Sequence, residues 1–151
     1  MTPFYTPLHR REHLVTEARS WVGTPFFGNS CAKGRGASCQ MLAASLYRAT
    51  GWLSPDEVIP EVPMSHARSS DRSLLMEWIG SRADLLPVES MDDLQPGDLL
   101  AFRMPRTVHH AGVYLGCGLF VQAIEGPGVV ISPLADATWS SRFAGGWRPM
   151  K

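Results

Sequence analysis

The sequence predicts an α+β fold, and three observations carry that prediction. Apolar residues recur at helical spacing through the first half of the chain. From Leu94 onward the period shortens to two, in runs rich in Val, Ile, Leu and Phe. Those runs are joined by short glycine turns rather than by helices, which favours antiparallel pairing.

In chain order, Thr6-Pro7 reads as an N-cap followed by proline at the first helical position. Leu14, Val15, Ala18, Trp21 and Val22 then fall on one helical face, and Gly23 stops the run. "GTPFFGNSCAKGRGAS" reads as a long loop, a length more typical of functional loops than of plain connections. Ser38 caps a second helix whose buried stripe is Cys39, Leu42, Ala43, Leu46 and Tyr47, with Gly51 as terminator. "SPDEVIPEVPMS" has three prolines and is extended or turning. A short third helix spans Ser70 to Ile79, with Leu74, Leu75, Trp78 and Ile79 facing inward. "LQPGDLLAF" is a Pro-Gly turn feeding a strand. "VHHAGVYL" and "LFVQAIE" form a hairpin around a three-residue loop, Gly116-Cys117-Gly118, and "VVIS" and "AGGWRP" supply two further strands.

The chain has 151 residues, 44% hydrophobic and 19% charged, which predicts one globular domain spanning 1–151. Fourteen basic residues balance fourteen acidic ones, so there is no electrostatic footprint for nucleic acid or an anionic membrane. No apolar run approaches membrane-spanning length. The N-terminus lacks the basic-then-apolar order of a secretory signal, so a chain cytoplasmic as synthesised is expected.

Three cysteines, Cys31, Cys39 and Cys117, make neither a disulfide framework nor a CxxC pair. Adding His109 and His110 gives no standard ligand spacing, so no metal is expected. Cys39 stands apart because it opens a helix. Helix N-termini carry unpaired N–H groups and partial positive charge, which stabilise a thiolate and can hold an oxyanion. Position 39 therefore suits a nucleophile, although a small core residue starting the stripe fits equally well. A nucleophilic thiol needs a base and the base needs an orienting partner. With Leu115 opposite Leu119 across a three-residue loop, His110 opposes Ile124 and Gly112 opposes Gln122. His110 and Gln122 then share a face as diagonal neighbours. A two-residue loop would place them on opposite faces. His109 is the rival base, its side chain expected on the other face. A satisfied structural histidine is the plain alternative for His110. His9, His13 and His66 read as solvated, and Cys31 and Cys117 lack a helix end to activate them.

At this point the chain resembles the NlpC/P60 family of papain-like cysteine peptidases, and within it the phage-tail cell-wall peptidase branch. "EARSWVGTPF" is similar to the family's opening helix and Gly-Thr-Pro-Tyr signature. "KGRGASCQMLAASLYRATG" resembles the Gly-x-Asp-Cys-Ser-Gly-Leu stretch, "LQPGDLLAFRM" the PGDLL-type strand, "HHAGVYLGCGLFVQA" the His-Val-Gly-Ile-Tyr hairpin, and "RFAGGWRP" the closing strand. The resemblance implies helices packed on a five- or six-stranded antiparallel sheet. It implies Cys39 as nucleophile, His110 as base and Gln122 as the orienting residue, with no cofactor. It also implies peptidoglycan stem peptides as substrate, often cut between D-glutamate and the diamino acid, and phage-tail proteins as partners. Four departures from the family pattern stand out: Phe26 replaces the tyrosine, Ser38 the aspartate, Gln40-Met41 the Ser-Gly after the cysteine, where bulk would narrow the cleft, and Gln122 the commoner histidine, whose amide can still accept the imidazole N–H. They leave two other readings open, a non-catalytic wall-binding or tail-assembly module and an acyl transferase or thioesterase using the same cysteine. Arg35, Arg103 and Arg106 flank the key segments as candidate partners for a substrate carboxylate.

Overall fold

The structure is a computed structural model that describes residues 1–57, 59, 72–104 and 107–151. The period-two runs become six strands: β3 (Leu85–Val88), β4 (Leu99–Arg103), β5 (Val108–Gly116), β6 (Leu119–Ile124), β7 (Gly128–Pro133) and β8 (Phe143–Pro149). They form one antiparallel sheet in the order β3-β8-β4-β5-β6-β7. The α+β prediction holds. The sequence reading passes over the edge strand β3, whose Pro87 weakens its strand signal and is admissible only at an edge.

Alternation divides the sheet's residues between two cores. Leu99, Ala101, Ala111, Val113, Val121, Ala123 and Val129 join α1 (Leu8–Trp21) and α2 (Cys39–Ala49) in the larger one. Leu100, Phe102, Phe120 and Leu134 form a smaller core on the opposite face, completed by Tyr114, Trp139 and Phe143. Trp139 belongs to α4 (Ala137–Ser140), a single turn in the β7–β8 connection that the sequence reading does not anticipate.

Helix α1 begins one residue later than expected. Pro7 is the N-cap, in extended conformation, and its carbonyl accepts from the Arg10 and Arg11 N–H groups, while Thr6 donates to Pro3. Lacking a side-chain cap costs about 1 kcal/mol. Burying Leu14 and Trp21 at about 2 kcal/mol each outweighs that. α2 follows its predicted stripe, with Leu42, Ala43, Leu46 and Tyr47 buried and Ser38 accepting from Met41 N–H. α3 (Leu74–Gly80) starts later than predicted, at a Ser73 cap, and buries Leu75 and Ile79, with Trp78 partly buried. Positions 70 and 71, and with them His66, lie outside the described residues.

Two segments correct the sequence reading in ways that matter for the site. The expected loop at 23–38 is organised: β1 (Cys31–Ala32) and β2 (Gly36–Ala37) pair antiparallel, and Phe26 forms a parallel bridge with Ala37. The β5–β6 connection is a two-residue turn, with Gly116 opposite Leu119 and both Cys117 (φ 53) and Gly118 (φ 77) in the left-handed region. A bulge at Leu115 compensates, so Tyr114 pairs with Phe120 and Val113 with Val121, the register expected from a three-residue loop. The turn length was wrong and the register right.

The turn before β4 is held from several sides. Asp98 accepts from Gln95 N–H at 2.8 Å and from Arg148 at 2.9 and 3.0 Å, and the Tyr47 hydroxyl donates to Gly97 O at 2.9 Å. Gly97 has φ +98, and a Cβ there would stand 2.2 Å from the Tyr5 ring. Gly97→Ala is therefore expected to cost about 2 kcal/mol or more, read as a lowered urea midpoint; an unchanged midpoint would contradict this account of the turn.

Candidate active site

The site assembles where the first turn of α2 meets β5. Ser38 sets the start of the helix: its Oγ accepts from Met41 N–H at 3.4 Å and its own N–H donates to Ser30 O at 3.1 Å. The next two side chains reach the β5 main chain. Gln40 Nε2 donates to His109 O at 2.9 Å, and the Cys39 thiol approaches the same carbonyl at 3.8 Å. Gln40, which stands in place of the family's serine, thus ties the helix start to the sheet.

β5 is irregular at this point. Phe102 pairs with His110 and Arg103 with Val108, so His109 is the extra residue of a bulge. Bulges break alternation and re-aim neighbouring side chains. Both histidines border one cleft.

His110 is held from three directions. Its ring stacks on Trp139 (centroids 5.4 Å, interplanar angle 28°) and tilts against Phe102 at 5.6 Å. His110 Nε2 lies 2.8 Å from Gln122 Oε1, and Gln122 Nε2 donates to Ser132 Oγ at 3.0 Å. With the amide oxygen toward the ring, Nε2–H donates and Nδ1 keeps its lone pair. The diagonal pairing expected from the register is present.

The cleft encloses about 160 Å³ and is bordered by Phe26, Ser38, Cys39, Gln40, His109 and His110, with Met104, Ile124 and Glu125 among the other residues of its wall. All seven candidate residues lie here except Gln122, which is fully buried behind His110. Arg35 is exposed on the β1–β2 turn, Arg103 borders a separate hollow with Arg142 and Phe143, and Arg106 lies outside the described residues. Cys31 and Cys117 are exposed; Cys31 Sγ contacts Ser45 Oγ and Met41 O.

The electrostatics differ from the sequence expectation. Burial pushes the Cys39 thiol above its usual value, against the pull of the Ala111, Gln40 and Cys39 backbone groups. Burial also lowers His110 to about 4, opposed by Gln122 and assisted by His109. His109 is lowered for the same reason, and its Nε2 is buried without a partner. Each shift favours the uncharged form of its group, the thiol of Cys39 and the imidazole of His110. A helix terminus offers a fraction of a charge, while removing a thiolate from water costs more.

Sequence reasoning missed Trp139 and Ser132. Extending the register across β6–β7, where Phe120 pairs with Ser132 and Gln122 with Val130, would have found Ser132. Nothing in the local sequence marks Trp139, which reaches His110 only because α4 folds back over the sheet.

The NlpC/P60 family profile matches residues 27–148. The γ-DL-glutamyl hydrolase of Bacillus subtilis is 26% identical over 136 residues, covering 87% of this chain and 28% of its own length. The chain therefore spans less than a third of that relative. An NlpC/P60 family protein from Bacillus cereus has a similar structure (TM-score 0.66, 21% identity, 93% of this chain and 40% of that one). RipD of Mycobacterium tuberculosis, a non-catalytic NlpC/P60 domain protein adapted to peptidoglycan binding, is also similar (TM-score 0.58, 18% identity, 94% and 98%).

Because His110 is neutral when folded and charges near 6.5 when free, the unfolded chain binds more protons between those values. Stability is expected to be full above pH 6.5 and to fall as the pH drops toward about 4, by roughly 3 kcal/mol from this group. Urea melts across that window check it: His110→Gln should flatten the slope, and an equal slope in both proteins would refute the buried neutral ring.

Proposed function

The chain belongs to the NlpC/P60 family, generally one of cell-wall hydrolases, and from that premise we propose that it hydrolyses peptide bonds in peptidoglycan stem peptides. Cys39 is the nucleophile, His110 the base and Gln122 the residue that orients the base. The observation that carries this reading is the cleft shared by Cys39 and His110, with His110 Nε2 held 2.8 Å from Gln122 Oε1.

The neutral resting pair sets the order of steps. As substrate seats and excludes water, His110 Nδ1 takes the thiol proton while sulfur bonds to the scissile carbonyl carbon. The carbonyl oxygen becomes an oxyanion, and the Cys39 and Gln40 N–H groups at the helix start are positioned to receive it. The intermediate collapses, the C–N bond breaks and imidazolium protonates the leaving amine. Water then gives its proton to His110, adds to the thioester carbonyl and releases the acid, and the thiol is restored. The B. subtilis relative acts, by its name, on γ-glutamyl bonds, which favours the bond between D-glutamate and the diamino acid. For setting we propose a phage or prophage tail, made in the cytoplasm, on the motif resemblance alone.

A second reading is favoured by Phe26, Ser38 and the raised thiol: a module that binds peptidoglycan without cutting it, as described for RipD. The two separate cleanly. Hydrolysis predicts that purified peptidoglycan releases amine-terminated peptides and that Cys39→Ala lowers the rate by about a thousandfold or more. Binding without release, unchanged by Cys39→Ala, would instead establish the second reading. Turnover of acyl esters with no peptide release would indicate a thioesterase or transferase. A stem peptide carrying a chloromethyl ketone should label Cys39 ahead of the exposed Cys31 and Cys117.

A further inference from the structure

We propose that Glu125 is a specificity-determining residue whose carboxylate holds a primary ammonium group of the substrate in the cleft beside Cys39. This rests on the hydrolase reading for the choice of peptide and for its effect on turnover. Glu125 borders the cleft together with Cys39, His109 and His110. Among the described residues it is the only Asp, Glu, Lys or Arg on that wall. Burial favours the uncharged form of the Cys39 thiol and of both imidazoles. The carboxylate is therefore the one formal charge among the described wall residues. Over the whole chain fourteen basic residues balance fourteen acidic ones, so no net charge on the molecule masks the local sign.

The main chain under Glu125 is held in place. β6 ends at Ile124, which pairs with Gly128 at the start of β7, and Glu125, Gly126 and Pro127 make the turn between them. That turn backs onto the segment that brings Phe26 to the cleft. Val129 N–H donates to Thr24 O at 2.8 Å, and Val129 O accepts from Gly23 N–H at 3.0 Å. Gly128 has φ +78, and a Cβ there would stand 2.3 Å from Thr24 O, so the close approach requires glycine. The side chain of Glu125 stays exposed, and among the described residues no lysine or arginine pairs with it.

A carboxylate in a cleft selects a partner that carries positive charge and donates hydrogen bonds. No group of His, Cys, Asp and Glu among the described residues could hold a metal ion, which points to an organic cation. The proposed substrate, cut between D-glutamate and a diamino acid, offers one as an amine. Two amines share that chemistry: the α-amine of the glutamate and the side-chain amine of the diamino acid. At about 160 Å³ the cleft is small for a ligand pocket, so the amine it holds belongs to a residue flanking the bond. Such a contact is made in the ground state and the transition state alike, so its loss should raise KM and leave kcat.

Calorimetry on the full chain carrying Cys39→Ala reads binding without turnover. The probes are γ-D-glutamyl-L-lysine and its forms acetylated at the α-amine or at the ε-amine. Blocking at least one amine should weaken binding about tenfold, and the amine that responds is the one held. Adding Glu125→Gln should weaken the unmodified peptide about tenfold and abolish the cost of acetylation. With Cys39 restored, Glu125→Gln should raise KM about tenfold and change kcat less than about twofold. An acetylation cost as large in Glu125→Gln as in its parent would overturn the proposal, since bulk and not charge would then be the cause. No cost at either amine, or no binding of the unmodified peptide, would overturn it too. Discriminating binding without cutting by the wild-type protein would count against the hydrolase reading and leave this assignment intact. Equal KM for free and acetylated peptides that are both cut would do the reverse.

Discussion

The site depends above all on the register of β5 against β6. Val113 with Val121 and Tyr114 with Phe120 fix that pairing, and the two-residue period does the rest. It gives His110, Gln122, Phe102 and Phe120 to one side of the sheet and Ala111, Val121 and Ala123 to the other. A slip of one residue would turn Gln122 into the helix-packed core and bring Val121 or Ala123 to the imidazole. Such a slip would bury a polar amide among the packed side chains of α1 and α2, so the core that stabilises the fold also enforces the contact between His110 and Gln122. The bulge at Leu115 shows the constraint acting: the turn changes length, and the strand absorbs the change before the paired residues are reached.

A second consequence concerns where the reactive groups come from. Cys39 arrives on the helix face and His110 belongs to the opposite face by alternation, yet both border the cleft. The cleft lies at the start of the strand, beside the bulge at His109. The helix is pinned at the same carbonyl, through Gln40. The position that disturbs the strand therefore also docks the helix, which limits how far thiol and ring can drift apart.

Burial then decides the charge state. The reading from the helix terminus alone favours a thiolate, whereas the packed environment raises the thiol and lowers both histidines. A buried ion pair gains attraction but gives up the hydration of both ions, and burial is the largest cause of the shift at each of the two groups. In a neutral pair the proton moves when the substrate arrives, so the tautomer of His110 matters more than its acidity. Gln122 suits that arrangement, since an amide accepts from the ring without adding a charge that would draw a proton onto it.

The sequence by itself determined the order of helices and strands, the α2 stripe and its Ser38 cap, and the diagonal relation of His110 to Gln122. Each follows from local periodicity or from counting along a hairpin, and short-range spacing survives folding. It also marked the Cys39 and His110 segments through their resemblance to one family. Only the tertiary structure decided the organised ribbon at 31–37, the two-residue turn with its bulge, the shared cleft for both histidines and the stacking of Trp139. The charge state of the thiol belongs with these. Burial is a sum over neighbours distant in sequence, and bulges arise where strands compete for register, so neither leaves a periodic trace in the chain. The helix end that suggested an activated sulfur is visible in one dimension; the packing that opposes it exists only in three.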